Sequence, residues 1–109
     1  MKNADFEGVL ETSDEWIVQR TGIRQRRFVD PPMGSSDLGF EAAKKALADA
    51  GRGAADVDFI LFATTTPDYV APGNGPLIQD RLGVGPIPSL NVSNACSGFI
   101  YSLTVADVM

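Results

Sequence analysis

A continuous apolar segment constrains the fold of this chain more than any other feature. Residues 57–65, VDFILFATT, combine β-branched and aromatic side chains and contain a single charged residue, Asp58. Such a run predicts a strand that is buried on both faces, because a half-exposed strand would alternate apolar and polar side chains. A strand of that kind needs a layer of structure on either side, which helices supply in α/β proteins.

The segment TSDEWIVQRTG predicts a short helix near the start of the chain. Thr12 and Glu15 have the spacing of a capping box, and Gly22 suits the position just past a helix end. These signals predict a helix over residues 13–20.

Helical and strand patterns continue to alternate through the rest of the chain. The other predicted elements are a helix over residues 35–50 that ends before Gly51, a helix over residues 75–83 with Pro76 in its first turn, a strand over residues 87–92 and a helix from Ser97 onward. This order predicts an α/β protein with a largely parallel sheet.

Composition narrows the class of protein. The chain has 109 residues, enough for one core, and its net charge of −5 argues against a nucleic-acid partner. A single cysteine excludes an internal disulfide and fits a reducing compartment. The longest apolar run is too short for a bilayer, and residues 1–16 lack the apolar core of a signal peptide. We therefore expect a cytoplasmic chain without a membrane partner.

The last predicted helix has almost no polar face, so we expect it to be buried nearly all round. Covering such a helix takes layers above and below it, more than the predicted elements supply. We therefore expect the chain to be incomplete at its C-terminus. The apolar residues of this helix are Phe99, Ile100, Leu103, Val105, Ala106, Val108 and Met109.

Cys96, the only cysteine, falls at the turn between the second strand and the last helix. Gly98 follows two residues later and permits close backbone approach, as in a nucleophile elbow, although the G-x-S-x-G pattern is absent. The dipole and free N–H groups of a helix N-terminus favour a thiolate and supply donors to an oxyanion. The alternative is that Cys96 is a small buried hydrophobe with no chemical role. Position alone leaves both open.

Four segments together carry a resemblance to a known family. TSDEWIVQRTGIRQRRF, GFEAAKKALADAG, DFILFATTTPD and LNVSNACSGFIYSL resemble, in order and spacing, the N-terminal third of β-ketoacyl-acyl carrier protein synthase III. That family consists of thiolase-fold condensing enzymes that start fatty acid synthesis. The resemblance implies a five-layered αβαβα fold, of which residues 1–109 form an incomplete N-terminal half without the first strand and the whole C-terminal half. It also implies that the nucleophile helix lies in the central layer.

The resemblance implies a reaction and its participants. The family's cysteine, at the position of Cys96, takes an acyl group from a short acyl-CoA. A histidine and an asparagine then assist decarboxylative condensation with malonyl-acyl carrier protein. The family acts as a cytoplasmic homodimer without a tightly bound cofactor or metal, and acyl-CoA is a substrate. Because this chain contains no histidine, we expect residues 1–109 alone to be inactive. We also expect them to fold poorly, because their apolar surfaces would be uncovered.

Three residues near the first helix match the family's CoA-binding positions. The resemblance implies that Trp16 stacks on the adenine, that Arg20 lies on the other side of that base, and that Thr12 lies near the same nucleotide. A cluster formed by Arg20, Arg24, Arg26 and Arg27 suits the phosphates of CoA. The alternative is that Trp16 anchors a short helix and that the arginines form a solvated face.

Two departures from the family pattern leave the acyl group undefined. Ala71 is smaller than the residue that relatives often carry on a loop reaching the partner's acyl pocket, and Asn94 replaces a common alanine.

A related thiolase-fold acyltransferase of secondary metabolism and a non-catalytic interaction module remain alternatives. The coding sequence after Met109 separates them: a second half with a histidine and an asparagine indicates the enzyme, and a stop codon indicates the module.

Overall fold

The structure is a computed structural model that describes residues 1–109. The chain forms two compact units, Met1–Asp30 and Pro31–Met109, each described here by itself.

The first unit is built around helix α1, Asp14–Thr21. Its N-cap is Ser13, whose hydroxyl accepts a hydrogen bond from the Trp16 backbone N–H at 3.1 Å. The predicted capping box was therefore wrong, because the extended backbone that a cap needs falls at Ser13, one residue after Thr12. Gly22 closes the helix with left-handed backbone, φ 71°, as predicted.

A buried asparagine organises this unit. Asn3 lies in a 3₁₀ helix, Asn3–Phe6, and donates from Nδ2 to Asp14 Oδ1 and to the Ile23 carbonyl, both at 2.8 Å. Its Oδ1 accepts from the Arg26 guanidinium. The amide thus joins the chain start, the start of α1 and the segment after α1, each through a satisfied polar group.

The second unit has the predicted alternation of helices and strands. Its strands β1 and β2 pair in parallel, with Ile60 opposite Ser89 and Ala63 opposite Val92. Short 3₁₀ helices precede β1, at Ala54–Asp56, and α4, at Ala95–Ser97. The main elements are α2 (Ser35–Asp49), β1 (Ile60–Ala63), α3 (Gly75–Leu82), β2 (Ser89–Val92) and α4 (Gly98–Val108). The α/β class and the parallel sheet are confirmed.

Strand β1 is shorter and less buried than the sequence predicts. It covers Ile60–Ala63 rather than residues 57–65, and Ile60 is its one buried residue while Ala63 is exposed. Its ladder ends with hydrogen bonds from Ile60 N to the Pro88 carbonyl and from Thr64 N to the Val92 carbonyl, each 3.1 Å long. Strand β1 pairs with β2 alone, so residues beyond those two hydrogen bonds have no partner strand.

Helices pack on both faces of the two-stranded sheet. Alternation along β1 directs Phe62 and Ile60 to one face and Ala63 to the other. On the first face, Gly39 of α2 lies close to Phe62 of β1 and to Ile78 of α3. On the second face, Ala63 contacts the start of α4. The apolar core of this unit therefore consists of Ile60 of β1 and Ile78 of α3, on the face that α2 and α3 cover.

Helix α4 is exposed, as expected for residues 1–109 taken alone, and its burial in a complete fold stays a prediction. Phe99 is 67% exposed and Val108 78%, and Gly98 is the buried residue of the helix. One side of α4 meets the strands, and no element of this chain covers the rest. None of the helices combines the length and apolar content that crossing a bilayer requires.

Gly39 lies in the middle of α2, where glycine usually costs helix stability. A Cβ at this position would collide with the Phe62 ring and lie 3.3 Å from Ile78 Cδ1. We expect Gly39→Ala to destabilise the protein by about 1 kcal/mol, because overpacking of ~1–3 kcal/mol outweighs a helix-propensity gain of ~1 kcal/mol. Urea unfolding measures the change. Gly85→Ala, with no atom within 4 Å of the added methyl, is the control, and greater stability of Gly39→Ala would contradict the packing described.

Candidate functional site

Cys96 lies in the turn between β2 and α4. The turn is the 3₁₀ helix Ala95–Ser97, which begins three residues after Val92 and leads directly into Gly98. The thiol is free and exposed. Cys96 is therefore not buried by any element of residues 1–109, and its role as a nucleophile stays a prediction.

The backbone of this turn is strained next to the thiol. Ala95 has φ 44°, the one positive value among the residues other than glycine. An L-residue in this region costs about 1–2 kcal/mol and persists where its surroundings hold it. Such strain is common where a strand bends sharply to present a nucleophile.

Contacts on either side of the turn hold it in place. Before it, the Val92 carbonyl accepts the Thr64 N–H at 3.1 Å, and within it, Ser97 N donates to the Asn94 carbonyl at 3.1 Å. After it, a Cβ on Gly98 would lie 3.3 Å from Ala63 Cβ, tighter than most such contacts. Gly98 therefore packs closely on the Ala63 side chain, whereas the nearest backbone atom, the Val92 carbonyl oxygen, would lie 4.0 Å from that Cβ, so the predicted close approach of backbone to backbone is not seen.

A cluster of polar side chains beside β2 was not predicted from the sequence. Its centre is Asn74, which is fully buried. Asn74 Oδ1 accepts the Asp68 backbone N–H at 2.9 Å, and its Nδ2 donates to Ser35 Oγ at 2.7 Å. Ser35 Oγ in turn donates to the Thr66 carbonyl at 2.7 Å. The amide therefore ties the start of α2 to the loop between β1 and α3, where Ala71 is exposed.

Asn91 joins this cluster from β2. Its Oδ1 accepts the backbone N–H groups of Asn74 at 3.1 Å and Gly75 at 3.3 Å, and its Nδ2 donates to the Pro72 carbonyl at 3.1 Å. The side chain of Asn74, the N-cap residue of α3, does not cap that helix. The cap comes instead from a neighbouring strand, which a local capping pattern cannot reveal.

Two carboxylates in this region are held in their ionised form. Burial acts to raise the pKa of Asp68, but hydrogen bonds from Ser36 and Ser35 outweigh it and keep that pKa below the usual value. The Gly34 backbone N–H lowers the pKa of Asp37, and Arg81 lowers it further against the effect of burial. Arg81 contacts Asp37 Oδ1 at 2.8 Å.

In the first unit, Trp16 and Arg20 lie on one face of α1. The Arg20 guanidinium carbon lies 4.8 Å from the centre of the Trp16 ring, and Trp16 is 51% exposed. These side chains therefore stack on each other, and a base between them would have to displace the guanidinium from the ring. Thr12 precedes the same helix, and its Oγ1 is buried without a hydrogen-bond partner.

The arginines predicted to bind phosphates do not act as one group. Arg26 lies over the Phe6 ring at 5.2 Å and donates to Asn3, so it has a structural role. Arg24 lines a shallow cavity with Asp14 and Glu15, whose charges oppose an anion. Only part of the predicted basic cluster is therefore available to a ligand.

The predicted site residues divide between the units. Thr12, Trp16 and Arg20 belong to Met1–Asp30, and Cys96 belongs to Pro31–Met109. The residues that sequence reasoning missed are Asn74 and Asn91; the one available signal was an asparagine directly before Gly-Pro at a helix start. No group of three or more potential metal ligands lies together.

Known proteins resemble this chain over nearly its whole length. It is 50% identical over 108 residues to the β-ketoacyl-[acyl-carrier-protein] synthase III of Mesorhizobium japonicum, an alignment that covers 99% of the chain and 33% of that relative. The chain thus spans about a third of the length of the curated relatives it matches. No family model matches it. The resemblance drawn from the four sequence segments is confirmed.

Solved structures agree with the sequence comparison. The 3-oxoacyl-[acyl-carrier-protein] synthase III of Aquifex aeolicus superposes with a TM-score of 0.81 at 39% identity, over 99% of this chain and 35% of that one. OleA from Xanthomonas campestris superposes with a TM-score of 0.74 at 29% identity, over 98% of this chain and 32% of that one. The predicted thiolase-fold α/β class is confirmed.

The two carboxylates predict how stability depends on pH. Both folded-state pKa values are lowered, so their contribution is complete above the unfolded value of about 3.9 and is lost as pH falls through the folded values. We expect urea unfolding midpoints to fall below pH 4, and Asp68→Asn to reduce that dependence. Asp58→Asn, which removes an exposed carboxylate without a hydrogen-bond partner, is the control. Equal pH dependence in the two variants would contradict the assignment.

Proposed function

We propose that this chain is the nucleophile-bearing segment of a β-ketoacyl-acyl carrier protein synthase III. Residues 1–109 would form an incomplete N-terminal half of the five-layered fold, and the first strand and the C-terminal half would come from the rest of the protein. One observation carries the proposal: an exposed cysteine follows a strained residue at a strand-to-helix turn, in a chain 50% identical to such a synthase.

The first half-reaction uses Cys96. The thiolate attacks the thioester carbonyl of a short acyl-CoA, the new bond to carbon forms, and the bond to the CoA sulfur breaks. CoA leaves as a thiolate that takes up a proton. The N–H groups of Ser97 and Gly98 donate to the Asn94 and Ala95 carbonyls, so the donors to the negative charge on the carbonyl oxygen would be the remaining N–H groups of the first turn of α4. The product is an acyl-cysteine.

The second half-reaction needs groups that this chain does not contain. Loss of carbon dioxide from malonyl-acyl carrier protein leaves a carbanion, which attacks the acyl-cysteine and releases the thiolate of Cys96. The histidine and asparagine that assist this step in the family have no counterpart in residues 1–109, which contain no histidine. Alone, this segment would stop at acylation.

The nucleotide of acyl-CoA is assigned to the first unit. Trp16 offers an exposed aromatic face to adenine, and Arg20 would move from that face to the other side of the base. A guanidinium stacked on an aromatic ring suits this exchange, since both rings attract it through their π faces. The Oγ1 of Thr12 has no hydrogen-bond partner but is buried, so a contact with the same nucleotide would require this hydroxyl to become accessible.

The rest of the proposal follows the family. The complete protein would act as a cytoplasmic homodimer, with no tightly bound cofactor and no metal. A role in fatty acid synthesis is favoured over another thiolase-fold condensation, because identity is 50% to a synthase III and 29% to OleA. The acyl group stays undefined, since Ala71 lies on an exposed loop without a defined neighbour.

The assignment of Cys96 is tested by acylation of the complete gene product. Mixing with acetyl-CoA is expected to add one acetyl group that neutral hydroxylamine removes, and peptide mapping is expected to place it on Cys96. Cys96→Ala is expected to abolish the adduct. Ser93→Ala, which changes an exposed residue between β2 and the turn, is expected to retain it. An adduct that persists in Cys96→Ala would overturn the assignment.

The nucleotide assignment is tested through substrate affinity. Trp16→Ala is expected to raise the KM for acyl-CoA on the order of 10-fold, within the ~1–3 kcal/mol of a base–aromatic stack, and to leave kcat unchanged. Phe28→Ala removes another exposed aromatic side chain of the same unit, 68% exposed, and is the control. An unchanged KM with a lower melting temperature in Trp16→Ala would indicate a structural role instead.

A further inference from the structure

We infer that Asn91 is a positioning residue for Cys96: its side chain anchors β2 to the start of α3 and so keeps the strained turn in the conformation that presents the thiol. This inference rests on the proposed role of Cys96 as the acylated nucleophile.

Asn91 is the last tertiary side-chain anchor before the thiol. Its amide makes three hydrogen bonds, to Asn74 N, Gly75 N and the Pro72 carbonyl, at 3.1, 3.3 and 3.1 Å. The four residues between it and Cys96 make no side-chain hydrogen bond. Asn91 is therefore the last residue before the turn whose side-chain hydrogen bonds fix the path of the chain.

The loop before α3 lies directly against this face of β2. A Cβ on Gly73, φ 86°, would collide with the Asn91 amide, and a Cβ on Gly75 would lie 2.5 Å from Ser89 Oγ. Glycines at these two positions let the backbone reach the polar side chains of the strand. The contact is therefore a close fit between two segments rather than one isolated hydrogen bond.

The strain at Ala95 makes the anchor matter. Left-handed backbone at an alanine relaxes unless the chain is held on both sides. Gly98 packed on Ala63 holds the far side, and the Thr64–Val92 hydrogen bond with the Asn91 amide holds the near side. Without Asn91 the near side is held by the backbone ladder to β1 alone, which ends at the Thr64–Val92 hydrogen bond, so the turn beyond it is freer to relax and move the sulfur.

Chemistry distinguishes the substitutions that keep this anchor. Aspartate keeps an acceptor oxygen at the position of Oδ1, which accepts the N–H groups of both Asn74 and Gly75, and a helix N-terminus favours a negative charge there. It loses the donor to Pro72. Leucine has a similar size but leaves both N–H groups without their acceptor. A positioning role therefore predicts rescue by Asp and failure of Leu.

The kinetic test compares acyl transfer from acetyl-CoA in the complete gene product, expressed per alkylatable Cys96. Asn91→Leu is expected to lower kcat on the order of 10- to 100-fold with an unchanged KM, because displacing a reacting group by about 1 Å costs that much and the acyl-CoA contacts lie in the other unit. Asn91→Asp is expected to stay within about 3-fold of wild type. Gln79→Ala removes a 2.8 Å hydrogen bond at the far end of α3 and is the matched control.

A spectroscopic test does not depend on the reaction. The alanine methyl spectrum, with Ala95 identified from Ala95→Gly, reports the turn directly. Asn91→Leu is expected to shift the Ala95 resonance and leave distant alanines in place, whereas Gln79→Ala leaves Ala95 unchanged. If Asn91→Leu does not fold, Asn91→Ala, which adds no bulk, is read in the same way.

The outcomes separate the two proposals. An unmoved Ala95 resonance, or full kcat in Asn91→Leu, would overturn the positioning role. Loss in Asn91→Asp equal to that in Asn91→Leu would also overturn it. Wild-type protein that does not acylate would refute the proposed function, and the methyl spectrum would still decide whether Asn91 holds the turn.

Discussion

The buried amide of Asn74 is the contact on which the second unit depends. A fully buried amide must satisfy its donors and acceptor within the protein, and here its partners come from a helix start and a long loop. Its backbone N–H adds the link to Asn91 on β2. Replacing Asn74 would remove the partner of Ser35 and of the Asp68 backbone N–H at once, so α2, the loop, α3 and β2 are held in one arrangement.

This constraint connects to the candidate nucleophile through the strand. β2 is paired with β1 on one edge and bonded through Asn91 to the start of α3. The turn that follows carries the strained Ala95 and the exposed Cys96. Strain of this kind persists because its surroundings are rigid. Strand β2 therefore connects the polar cluster to the turn that carries the thiol.

The candidate nucleotide-binding residues owe their geometry to the periodicity of one helix. Trp16 and Arg20 are four positions apart on one helix, so their side chains meet whatever the rest of the protein does. Arg26 belongs to the same sequence cluster, but the Asn3 amide and the Phe6 ring engage it. A run of arginines in a sequence therefore overstates the positive charge that a ligand would meet.

Local patterns in the sequence were sufficient for the helices, the parallel strands and the turn at Cys96, because each depends on neighbouring residues or on backbone geometry. They missed the cap of α1 by one residue, since Ser13 rather than Thr12 has the extended backbone of a cap. They were insufficient where partners come from distant segments: β1 ends where its one neighbour ends, and Gly98 packs on the Ala63 side chain rather than on backbone. Tertiary structure alone brought Asn91 to the start of α3, since a hydrogen bond between residues 16 and 17 positions apart leaves no periodic signal in the chain.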